Sequence, residues 1–98
     1  MARQALIIGL GKFGLSLARA LKEYDVEVLA VDRRPELVQD AADIVDQALC
    51  LDSTDEDALA RTAPERRDIV VCAIGDESRD ASILTTALLK QMGAKHLV

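Results

Sequence analysis

Aromatic side chains are nearly missing from this chain: its 98 residues include one Phe, one Tyr and no Trp. A core without large rings must be filled by Ile, Val, Leu and Ala, and an apolar content of 50% supplies them. Basic residues are also scarce. Twelve Lys and Arg stand against 17 Asp and Glu, for a net charge of −5 and a pI near 4.7. A sequence-independent grip on nucleic acid needs clustered cations. No such stripe occurs, so no nucleic-acid partner is expected. No apolar run approaches the roughly 20 residues that cross a bilayer, which argues against direct membrane insertion. The single histidine, His96, abuts the last apolar run and has no metal-ligand cluster around it. It reads as structural or exposed. Cys50 and Cys72 form no CxxC, and each sits inside an apolar run, where a cysteine behaves as a small buried hydrophobe. With no secretory leader visible ahead of Gln4, these features lead us to expect a cytoplasmic protein.

Against that spare background the stretch "ALIIGLGKFGLSLARAL", Ala5 to Leu21, places three glycines between two apolar runs. Apolar runs of strand length recur at Ala5–Ile8, Val26–Val31, Ala48–Leu51, Ile69–Ile74 and Leu97–Val98. Helical spacing lies between them. Phe13, Leu17, Leu21 and Tyr24 form one apolar face, and Leu84, Leu88 and Met92 another. Pro35 suits the first turn of a helix carrying Leu37, Val38 and Ala41. Asp52, Ser53 and Thr54 can cap a short helix through Leu59, and Ser78 or Asp80 can start the last one.

Strands that are apolar throughout suit a sheet covered on both faces. Alternation of strands and helices with right-handed crossovers then predicts an α/β, Rossmann-like doubly wound parallel sheet, ordered 3-2-1-4-5. Residues 1–98 read as one nucleotide-binding domain, ending at the fifth strand without a sixth, as the N-terminal lobe of a longer protein. In that order Cys50 and Cys72 lie three strand spacings apart, roughly 14 Å, too far for a disulfide.

"GLGKFG" is GxGxxG directly after a strand and opening a helix. Gly9 permits the turn, Gly11 lets a pyrophosphate approach the backbone, and Gly14 lets helix pack on strand. The helix N-terminus behind them offers N–H groups and partial positive charge to phosphates. Lys12 is placed to reach a terminal phosphate. The next strand, "VLAVD", closes on Asp32, a surface carboxylate set to accept hydrogen bonds from ribose hydroxyls and to repel a 2′-phosphate, with Arg33 following. Asp52 and Ser53 follow the third strand, where they could meet an adenine. Gly75, after the fourth, lets backbone approach a ligand at the topological switch point. No catalytic set is visible.

The stretches "IIGLGKFGLSLARAL", "VLAVDRRPELV", "LDSTDEDAL" and "IVVCAIGDESRDASILTTALLKQMGAKHLV" closely resemble the RCK domain, also called KTN or the TrkA N-terminal domain. The "AIG…ASILTTALLK" segment is far more specific than the glycines. The resemblance implies a regulatory subunit or domain of a potassium channel or transporter, including Trk and Ktr uptake systems. It implies binding of NAD(H) or ATP/ADP, a membrane transporter subunit as partner, and assembly as homodimers and often octameric rings at the inner face of the membrane. By the same resemblance Gly9, Gly11, Lys12, Phe13 and Gly14 hold phosphates and Asp32 the ribose. Asp52 and Ser53 flank the adenine, and Ile74, Gly75 and Asp76 meet the centre of the ligand. Lys12 stands where many members carry Arg, which replaces a planar fork by a point charge. The helix that completes family dimers is absent from these residues. Two other readings stay open on the residues themselves: the NAD-binding half of a dehydrogenase, and an interaction module whose glycines only make a turn.

Overall fold

A computed structural model describes residues 3–75 and 79–98. The elements run β1 (Gln4–Ile8), α1 (Lys12–Glu23), β2 (Glu27–Asp32), α2 (Pro35–Ala41), β3 (Gln47–Cys50), α3 (Glu56–Ala60), a 3₁₀ turn (Pro64–Arg66), β4 (Ile69–Cys72) and α4 (Arg79–Gln91). All strand pairs are parallel, in the order β3-β2-β1-β4. A parallel bridge joins Val70 to Leu97, with Val70 N–H donating to the His96 carbonyl at 2.9 Å and Cys72 N–H to that of Val98 at 2.9 Å. The chain end thus begins a fifth position beside β4, as the 3-2-1-4-5 order requires.

β1 shows why its residues must be apolar in succession. Ala5 and Ile7 enter one core with Leu10, Ala18, Val28, Ala30, Ala41 and Val45, under α1 and α2. Leu6 and Ile8 enter the other with Leu29, Val31, Leu59, Val70, Leu88 and Leu89, under α3 and α4. Side chains of a strand alternate in direction, so a centre strand packed on both faces has no position between its ends for a polar residue. Both cores are aliphatic.

Four local expectations need correction. Phe13 is 65% and Tyr24 79% exposed, and α1 packs instead through Gly14, Leu17, Ala18 and Leu21. On α4 the inward residues are Thr85, Leu88 and Leu89, and Leu84 is exposed; a rotation of one residue in helical phase accounts for it. The cap of α3 is Asp55, whose carboxylate accepts from Asp57 and Ala58 N–H. Asp52 turns the chain before it, accepting from Thr54 N–H at 2.9 Å and Thr54 Oγ1 at 2.7 Å. Cys50 is exposed, because β3 is the sheet's edge, while Cys72 is half-buried; both are free thiols.

Candidate functional site

The glycine loop links β1 to α1 at the carboxyl edge, and its three glycines do different work. Gly9 has φ +104, and a Cβ there would sit 2.7 Å from the Ala73 carbonyl oxygen. The chain leaving β4 passes too close for any side chain, and the dihedral excludes other residues independently. At Gly14 a Cβ would run into the carbonyl of Gly9, since α1 crosses directly over the loop. Gly11 differs. Its φ of −69 suits any residue, and a Cβ would meet nothing within 4 Å. It caps α1 without a side-chain hydrogen bond, and the helix's first turn carries no acidic residue. The leading N–H groups of a helix lack intrahelical acceptors, so this end suits an anion.

Asp32 is buried, with its side chain only 4% exposed, which corrects the expectation of a surface residue. Oδ2 accepts from Leu10 N–H at 2.8 Å, tying the glycine loop to the end of β2. Oδ1 accepts from Arg34 N–H at 2.8 Å. The Arg34 guanidinium closes the set, donating from Nε to Oδ1 at 3.0 Å and from Nη2 to Oδ2 at 3.2 Å. Burial by itself pushes this carboxyl upward, but the Arg34 side chain and the two backbone N–H groups outweigh it and hold it below its ordinary value.

A cleft of about 300 Å³ opens beside these groups. Gly9, Asp32, Arg33, Asp52, Ser53 and Ile74 line it, bringing six of the sequence-predicted residues together. Gly11, Lys12 and Phe13 stand at the same edge but off the cleft wall, with Lys12 and Phe13 exposed. Gly14 is buried in the first turn of α1, and Gly75 is exposed beside Ile74. Asp76 lies outside the described residues. Ser53 also differs from expectation: it is buried, and its hydroxyl pairs with that of Thr85 on α4 at 2.8 Å rather than facing the cleft freely. Asp52 is held below its ordinary value by the Thr54 hydroxyl and N–H, with Arg33 adding attraction.

Sequence reasoning missed Arg34, Thr54 and the start of α4, where Asp80, Ala81 and Leu84 complete the wall. The order of elements could have found the last group, because the helix after β4 begins at the carboxyl edge by construction. The Arg34 contact had a local signal too, since an aspartate at a strand end commonly accepts from the N–H two residues on.

The geometry belongs to a widespread fold. The NAD(P)-binding domain of an exopolyphosphatase-related protein from Archaeoglobus fulgidus superposes with a TM-score of 0.74 at 22% identity, over 96% of this chain and 85% of that one. Sequence relatives are more specific. The Ktr system potassium uptake protein C of Bacillus subtilis is 44% identical over 93 residues, which are 95% of this chain and 42% of that protein. The Ktr system potassium uptake protein A of Vibrio alginolyticus is 39% identical, with the same shares covered. The chain thus spans less than half the length of these relatives. The TrkA-N domain family matches residues 5–98, and the chain belongs to that family.

Proposed function

We propose that this chain is the nucleotide-sensing lobe of a regulatory protein for a Ktr- or Trk-type potassium uptake system, binding NAD(H) or ADP/ATP at the carboxyl edge of the sheet. One observation carries the nucleotide half of this reading. Of the three loop glycines, Gly11 is the one that packing and backbone do not require, and it stands where a phosphate would approach the start of α1. A glycine retained without a structural need keeps space for something else. In this assignment Gly9, Gly11, Lys12, Phe13 and Gly14 surround the phosphates and Asp32 receives the ribose. Asp52 and Ser53 border the adenine, and Ile74, Gly75 and Asp76 the ligand's centre.

The transport half rests on the Ktr relatives named above. Regulation would work by differential affinity: alternative nucleotides favour different arrangements of the assembled subunits, and each arrangement biases the membrane partner differently. The protein would then act from the cytoplasmic side as a homodimer or larger ring, and would not itself be an enzyme.

Calorimetric titration with NAD, NADH, ADP and ATP tests the site, with Gly11→Val as the decisive variant. The wild type should bind at least one of them and Gly11→Val none. The variant should keep its stability to within about 1 kcal/mol, since only a cap preference changes. Silence from the wild type with all four, or normal binding by the variant, would remove the phosphate assignment. Nucleotide-dependent change in potassium flux through a reconstituted Ktr- or Trk-type transporter tests the second half.

A further inference from the structure

We infer that Arg34 is a built-in competitor for the ribose position, and that it sets the affinity of the site by occupying Asp32 whenever no ligand is present. The inference rests on the nucleotide reading above and adds to it a residue which that reading does not use. A carboxylate offers about four lone-pair directions, and four donors fill those of Asp32: Leu10 N–H, Arg34 N–H, Arg34 Nε and Arg34 Nη2. No direction is left for a ribose hydroxyl. Two of the four donors are backbone groups fixed by the loop and by the start of α2, and these cannot leave without unmaking the fold locally. The guanidinium can leave. Its side chain is 45% exposed, against 4% for the carboxylate it covers. Its two N–H groups also match in number the two hydroxyls of a ribose.

Binding is therefore an exchange. The ribose hydroxyls replace Nε and Nη2, and Arg34 moves into solvent at the mouth of the cleft. The net gain is smaller than for a carboxylate awaiting its ligand, so the guanidinium attenuates affinity for any nucleotide carrying a ribose diol. A ligand lacking those hydroxyls has nothing to exchange and leaves the pair intact.

The test is titration of the wild type, Arg34→Ala and Arg34→Lys with ADP and with 2′,3′-dideoxy-ADP. Arg34→Ala should bind ADP about two- to fivefold more tightly than the wild type, the scale of a partly exposed ion pair. It should bind the dideoxy compound no more tightly. Arg34→Lys keeps the charge without the fork and should show a smaller gain of the same pattern, which serves the test should the alanine variant fold poorly. An equal change for both ligands would mean that Arg34 acts only through its general charge, and weaker ADP binding by the variants would make it a ligand contact; either result overturns the inference while leaving the nucleotide reading in place. Absence of ADP binding in all three proteins overturns the inference, and silence with NAD, NADH and ATP as well overturns the nucleotide reading with it.

Discussion

At the carboxyl edge of the sheet Asp32 accepts one N–H from the glycine loop and pairs with Arg34. At the amino edge Asp46 accepts Val28 N–H at 2.7 Å and pairs with Lys22 at 2.8 Å. The wiring is alike: a carboxylate, a backbone donor on another segment and a cation. The surroundings are not. Asp46 has a side chain 43% exposed and joins the end of α1 to the starts of β2 and β3. Asp32 lies under the loop beside a cleft. Parallel strands fed by helices leave a crevice at the carboxyl edge and turns at the other. One device therefore stands beside the cleft of the proposed nucleotide site at one end and serves chain closure at the other.

The largest expected effect separates two glycines of the loop itself. Gly14→Ala drives a Cβ into the Gly9 carbonyl, a backbone group that cannot rotate aside. It should cost about 3 kcal/mol or more, in line with severe overpacking. Gly11→Ala meets nothing and should cost less than about 1 kcal/mol in the same denaturant titration. Equal losses would dissolve the distinction between a glycine kept for packing and one kept for a ligand.

How much of this the sequence discloses depends on the range of the interaction. Strand positions and order follow from uninterrupted apolar runs and crossover handedness, both properties of whole segments. The glycine loop is legible because a strand, three glycines and a helix come in register. Which glycine is open to a ligand is not legible, since that depends on how closely Ala73, just past the end of β4, approaches Gly9. The cap of α3 was ambiguous because "LDSTDED" holds several residues able to cap. Helical phase failed at Phe13 and Leu84 because small inward residues, Gly14 and Thr85, carry little hydropathic signal. The loading of Asp32 by Arg34 is a side-chain conformation, and no spacing rule encodes it.

A middle-sized effect compares the two aspartates directly. Asp32→Ala strips a buried N–H at Leu10 of its acceptor and should cost about 1–3 kcal/mol. Asp46→Ala, half in water, should cost about 1 kcal/mol or less. Both carboxyls sit below their ordinary value of 3.8 in the fold: Asp32 by Arg34 and backbone donors against an opposing burial, and Asp46 by Lys22 and then Val28. A lowered native value means that the contribution is complete above 3.8 and drains as pH falls through the native one. Acid titration of stability should therefore show a steeper fall below pH 4 in the wild type than in either variant, read by circular dichroism. Identical acid limbs would show that neither pairing matters to folding.

The smallest effect tests whether strain is likewise divided between the edges. Around the site, positive φ falls on Gly9, where it costs little. Among the described non-glycine residues it falls on Asp25 and Ala63, in the turns leading into β2 and β4 at the amino edge. Aspartate tolerates this region comparatively well, whereas alanine gains nothing there to offset its Cβ. Ala63 is held at φ 52, ψ 59 just before the 3₁₀ turn, and Arg67 clamps the neighbouring Thr62 carbonyl from Nε at 3.0 Å and Nη2 at 2.8 Å. Ala63→Gly removes the steric penalty, about 1–2 kcal/mol, but enlarges the entropy of the unfolded chain by a comparable amount. The net should be a gain of about half a kcal/mol in denaturant titration. Nucleotide affinity at the opposite edge should stay unchanged, because the turn shares no wall with the cleft. A loss of stability would mean that the alanine methyl makes packing contacts worth more than its strain. A shift in affinity would mean that the two edges are energetically coupled through β4, and the division between a binding edge and a closing edge would then no longer hold.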